Sequence, residues 1–164
     1  MTHVPHHHGY RWTGPKQRFD EEGLRRPPHP NPPPPAAPND MDAQRLVDRY
    51  RQVAAEFPVT DLPPMETAQW LAKSPAVIRG TWQEPKEAAK WLGLQLIEYA
   101  PRFLAERDRD TTRLTALVAS AAERLVGGGD VALGFYLERP AYLSLALVTC
   151  SPNRAARDLG CPLQ

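Results

Sequence analysis

The stretch from Val131 to Cys150, VALGFYLERPAYLSLALVTC, constrains this chain more than any other. It is the one segment that is both rich in β-formers and near-continuously apolar. Its length approaches that of a membrane span. Glu138, Arg139 and Pro140 interrupt its centre, however, and charge there is costly in lipid. On either side of the interruption the period is two. Val131, Leu133, Phe135 and Leu137 alternate with Ala132, Gly134, Tyr136 and Glu138, and Leu143, Leu145 and Leu147 alternate with Ser144, Ala146 and Val148. The pattern predicts an antiparallel hairpin turning at Arg139-Pro140; a pair of buried helices is the competing reading. Two strands alone are marginal. A third must come from residues 76–82, from the N-terminal tail or from a second subunit, which raises the expectation of a homodimer.

Helical periodicity precedes the hairpin. Asn39 or Asp40 is a suitable cap for a helix to about Phe57, with Leu46, Val47, Tyr50, Val53 and Phe57 on one face. Pro64 opens a short helix that ends before Ser74-Pro75. Pro85 opens the clearest one, which carries Ala88, Trp91, Leu92, Leu96 and Tyr99 and is kinked or divided at Pro101. Asp110 or Thr111 caps the next, which ends at Gly127-Gly128-Gly129, where one glycine can take a left-handed conformation. That triple glycine lacks the lysine and hydroxyl of a phosphate loop. The expected fold is α+β: about four helices, then the C-terminal antiparallel β-hairpin, in a single domain over 41–164.

Residues 1–40 read as a disordered His- and Pro-rich arm. Eight prolines between Pro27 and Pro38 favour a stiff polyproline II spacer. Beyond it, Tyr10 to Phe19 has the aromatic and basic character of a docking peptide. His3, His6, His7 and His8 form a tract that can bind a transition metal loosely. Read as part of a flexible end, these residues give no metal site and no cofactor.

Charge excludes one class of partner. The arm holds 5 basic and 4 acidic residues and the remainder 15 of each, so no half concentrates cations for nucleic acid. The opening MTHVPHHHGYRW has no apolar run of a secretory leader. No nucleic acid, no membrane and a cytoplasmic location are the expectations. Cys150 and Cys161 read as reduced thiols, Cys150 buried and structural.

All five histidines lie in the arm, at 3, 6, 7, 8 and 29. A domain from residue 41 onward then has no imidazole for Ser-His or Cys-His catalysis and too few ligands for zinc. Carboxylate chemistry remains. Glu98, set among Leu96, Ile97 and Tyr99, is the candidate acid or base, with Tyr99 beside it. Arg79, Trp82, Glu87 and Trp91 are the candidate ligand-binding residues around the central helix. Glu98 can instead turn outward and pair with Arg102. The leading functional expectation is a non-catalytic interaction or regulatory protein assembling through its hairpin onto a protein partner or itself. The alternative is a small-molecule binder or carboxylate-based enzyme accessory to a biosynthetic pathway.

Overall fold

Residues 6–15, HHHGYRWTGP, form a strand. This is the largest departure from the expected fold, and the other differences follow from it. The computed structural model describes residues 4–164. Its elements run β1 (His6–Pro15), α1 (Lys16–Phe19), α2 (Glu22–Arg25), α3 (Met41–Glu56), β2 (Gly80–Trp82), α4 (Pro85–Tyr99), α5 (Thr111–Val126), β3 (Val131–Tyr136) and β4 (Ala141–Cys150). Short 3₁₀ turns occupy Thr67–Ala72, Pro75–Val77, Ala100–Arg102 and Glu106–Arg109.

Among the described residues the strands make one antiparallel sheet, in the order β2-β1-β4-β3. The β1–β4 ladder runs without interruption from His6↔Cys150 to Pro15↔Ala141. β2 adds to the other edge of β1, with His8 opposite Thr81. The hairpin of β3 and β4 is therefore half of a sheet whose inner strand comes from the N-terminus. A disordered arm is overturned, and so is the helical domain with an appended hairpin. The missing strands come from within the chain, which removes the reason for a homodimer. Histidines and arginine hid β1 from a reading by β-propensity. Pro5 and Pro15 mark its two ends, where a missing backbone donor costs little.

The polyproline run does not float free. The Arg25 carbonyl accepts from Met65 N–H at 2.9 Å, and Arg25 Nε donates to Pro63 O at 2.7 Å. Beyond this anchor, Pro27 to Pro33 runs past α3.

Each face of the sheet has its own core. On one, Leu143, Leu145 and Leu147 of β4 join Val131 and Phe135 of β3 under Ala88, Leu92 and Leu96 of α4 and Leu114, Ala121 and Leu125 of α5. Each large apolar side chain there contributes roughly 1.5–3 kcal/mol by leaving water. Phe103 stacks on Phe135 with centroids 4.3 Å apart. On the other face, Tyr10, Ala146, Val148 and Cys150 meet Trp70, Leu71 and Cys161, and Tyr10 stacks on Trp70 at 4.5 Å. Gly9 permits the close approach of α4: a Cβ there would stand 3.0 Å from both the Trp82 and Trp91 rings.

The helix limits have local causes. Asp40 caps α3 by accepting from Ala43 N–H at 3.1 Å, and Asp110 caps α5 by accepting from Thr112 N–H at 2.8 Å. Gly128 follows α5 with a φ of 80° that favours glycine.

Lys73 is buried at 3% exposure. Its Nζ donates to Phe57 O at 2.8 Å and Thr60 Oγ1 at 2.9 Å. Burial pushes its ammonium from the ordinary 10.5 down to about 8, against a smaller opposing pull from Asp61. Between those values the unfolded chain holds the extra proton, so this residue makes stability rise with pH from about 8 to 10.5. Lys73→Met is expected to abolish that rise in urea titrations at successive pH values; an unchanged slope would contradict the assignment. A fragment beginning at residue 41 lacks β1 and is expected to melt without a cooperative transition by circular dichroism. A sharp two-state melt of that fragment would refute the inner-strand role.

Candidate metal centre

The two-residue period of a strand sorts the histidine tract. His6 and His8 point to the face that carries Cys150 and Val148, their partners in the ladder. His7 points to the other face. β4 ends in Cys150, and the segment after it folds back to bring Cys161 to the same place.

Side-chain donors of His6, His8, Cys150 and Cys161 all lie within 4.8 Å of one another. His6 is partly buried and the other three are buried. Cys161 Sγ stands 3.4 Å from His6 Nε2 and 3.5 Å from His8 Nε2. Bond lengths of about 2.3 Å to sulphur and about 2.0–2.1 Å to nitrogen, at tetrahedral angles, give a nitrogen–sulphur edge of about 3.6 Å. The two contacts of Cys161 match adjacent ligands on one ion. A two-iron cluster of the kind with two histidines and two cysteines keeps the imidazoles on one iron and the thiolates on the other. Such a cluster would hold nitrogen and sulphur farther apart than they stand here.

The outer shell directs the same atoms inward. His6 Nδ1 donates to Val4 O at 2.9 Å, which leaves Nε2 with a lone pair. His8 Nδ1 is 2.8 Å from Thr81 Oγ1, on the neighbouring strand. The rings of His6 and His8 sit edge to face at 4.8 Å. Burial, then repulsion from His6 and His7, pushes His8 down to about 4, so its imidazole is neutral near pH 7. Burial raises Cys150, only partly opposed by a hydrogen bond with Ser151 Oγ at 3.1 Å. Both cysteines are free thiols. The expectation that the fold lacks ligands for such a site is overturned, because the imidazoles are inside the sheet.

Tyr10 continues the row of His6 and His8. Its hydroxyl is buried without a partner among the described residues, an uncommon and costly condition. Burial raises its phenol, and the fields of Cys150 and Cys161 add to the effect.

His7 has a different task. Thr149 Oγ1 donates to Gly129 O at 2.7 Å and so must accept from His7 Nδ1–H at 2.9 Å. Thr149 N–H donates to Asp130 Oδ1 at 2.9 Å, and Asn153 Nδ2 donates to the same carboxylate at 3.0 Å and to Thr149 O at 2.8 Å. This network fixes the end of β4 and the start of the segment that carries Cys161.

Of the metal-tract candidates, His6 and His8 belong to the cluster, His7 does not, and His3 lies outside the described residues. His29 is exposed in the proline run. The carboxylate candidates stand elsewhere. Glu98 is exposed and 3.9 Å from Arg11, whereas Arg102 pairs with Glu138. Arg11 and Arg102 flank the ring of Tyr99. Trp82 and Trp91 pack on each other at 5.5 Å against the helical core. Glu87 and Arg79 are exposed, and Arg79 N–H donates to Gly9 O at 2.7 Å. The cysteines were missed because Cys150 and Cys161 are separated from the histidines by most of the chain. The His-x-His spacing was the available signal, since in a strand it puts both rings on one face.

Thr149→Val keeps the shape but leaves His7 Nδ1–H and Gly129 O unpaired. The expected loss is about 1–3 kcal/mol in urea denaturation; an unchanged midpoint would show that the network carries no stability.

No protein-family model, no curated protein and no solved structure matches this chain, so its reading rests on the geometry of the cluster itself.

Proposed function

We propose that this protein binds one divalent transition-metal ion, zinc(II) by its donor chemistry, through His6, His8, Cys150 and Cys161. The convergence of four nitrogen and sulphur donors within 4.8 Å carries the reading. Two imidazoles and two thiolates suit zinc, which takes nitrogen and sulphur ligands and has no geometric preference of its own to violate. Binding displaces one proton from each thiol, and the two negative charges balance the ion.

All four positions are filled by protein, which is the pattern of an anchoring ion and not of one that keeps a place for substrate. The ion would join the first strand, the end of the last strand and the C-terminal segment. The protein is therefore a cofactor-binding domain whose fold is linked to its metal. This replaces the interaction-protein reading, which rested on an incomplete sheet and on an absence of ligands inside it. The orphaned Tyr10 hydroxyl supports the reading, since cysteines converted to thiolates become stronger acceptors beside it.

Protein purified under reducing conditions without an affinity tag is expected to carry about one zinc per chain by elemental analysis. Cobalt(II) substitution is expected to give intense tetrahedral visible bands with thiolate charge transfer. Cys161→Ser and His8→Ala should each weaken metal binding by at least about ten-fold, and chelation should lower the melting temperature. Full-length protein that takes up neither zinc nor cobalt, or that binds them equally well in both variants, would refute the proposal.

A further inference from the structure

A cleft of about 640 Å³ opens between α5, the start of β3 and the segment after β4. It shares no residue with the metal cluster. Its volume is in the range of small-molecule sites. Leu117 of α5 and Leu133 of β3 give it an apolar floor, and Ser120 adds a hydroxyl.

Arg124 and Arg154 both line this cleft. They are brought together at Gly129, where a Cβ would stand 2.9 Å from Arg154 Nη2 and 3.0 Å from Arg124 Cγ. Any side chain at 129 would meet both arginines. Each presents its guanidinium from the exposed rim of the cleft, and a pair of cationic side chains on one wall attracts an anion there. Among the described residues neither has a carboxylate within ion-pair distance. Arg154 Nη1 donates to Gly127 O at 2.9 Å, which fixes its stem and leaves the rest of the fork available. Asp130 also lines the cleft, but its oxygens already accept from Thr149 N–H and Asn153 Nδ2. Glu66 lies on the wall as well, and it opposes a second anionic group on the ligand.

We infer that this cleft binds a small molecule with one anionic head, a carboxylate or a phosphate monoester, and an apolar body. Arg124 and Arg154 hold the head through charge-assisted, forked hydrogen bonds. Leu117 and Leu133 cover the body. The site goes beyond the proposed metal function and stands or falls separately from it.

The test titrates the full-length protein with octanoate, octyl phosphate, inorganic phosphate and octylammonium, read by amide shifts at Ser120, Ala132 and Ala155 and by calorimetry. Saturable binding of octanoate or octyl phosphate is expected, and the tighter of the two identifies the head group. Inorganic phosphate should bind at least about ten-fold more weakly because it leaves the apolar floor uncovered. Among the described residues the Arg124 side chain makes no hydrogen bond, so Arg124→Gln should weaken the tighter ligand by about ten-fold with an unchanged circular dichroism spectrum. Four results would overturn the inference: no saturable binding of either anionic amphiphile, octylammonium binding as tightly as they do, inorganic phosphate equal to octyl phosphate, or unchanged affinity in Arg124→Gln. Metal removal provides the separating control. Protein that takes up neither zinc nor cobalt yet still binds octanoate or octyl phosphate would refute the metal reading alone.

Discussion

The backbone ladder between β1 and β4 is the interaction on which the rest depends. It makes β1 the inner neighbour of β4, the most apolar of the described strands. Without it β4 would keep only the hairpin pairing with β3, and β2 would have no strand to join. The two cores are also separated by this ladder, because alternate residues of β1 and β4 feed opposite faces. One set of side chains meets helices α4 and α5. The other meets Trp70, Leu71 and the C-terminal segment.

The same alternation turns three successive histidines into two kinds of group. His6 and His8 go to the thiol face, where their Nε2 atoms meet the Cys161 sulphur. His7 goes to the other face and is held by Thr149 in a defined tautomer. Stability and chemistry are thus divided between neighbouring residues by strand geometry alone. Asp130 and Asn153 extend the division: they satisfy the backbone where β4 ends, and so aim the segment that returns Cys161 to the cluster.

Much of the helical part was readable from residues. Asp40, Pro85 and Asp110 announce helix starts through local hydrogen bonding or its absence, and Pro101 marks where α4 gives way to a tighter turn. The alternation in 131–150 likewise identifies two strands by local pattern. β1 was not readable by the same means. HHHGYRW has polar side chains on both faces, and its reason for being a strand is distant: an open edge of β4 and donors that meet Cys150 and Cys161. Dismissing the arm then removed the only imidazoles from the accounting of possible sites. The His/Cys cluster is visible only once β1 is placed beside β4. Glu98 has apolar sequence neighbours, but only Leu96 among them is fully buried; helical rotation turns Glu98 to solvent, as it does Ile97.

Considered as a polymer, the molecule has an unusual closure. His6 and Cys161 are 155 positions apart yet touch at their side chains. An ion held by both would turn nearly the whole chain into a single ring. Cross-linking across so long a contour removes about 5 kcal/mol of unfolded-state entropy in the chain-entropy account, if the bridge behaves as a permanent one. β1 and the C-terminal segment would then be held at one vertex, so a pull along the chain through His6 and Cys161 would load the metal–ligand bonds before it reached the sheet. Fraying of β1 or of the segment that carries Cys161, a usual first step of local unfolding, would first have to break a metal–ligand bond.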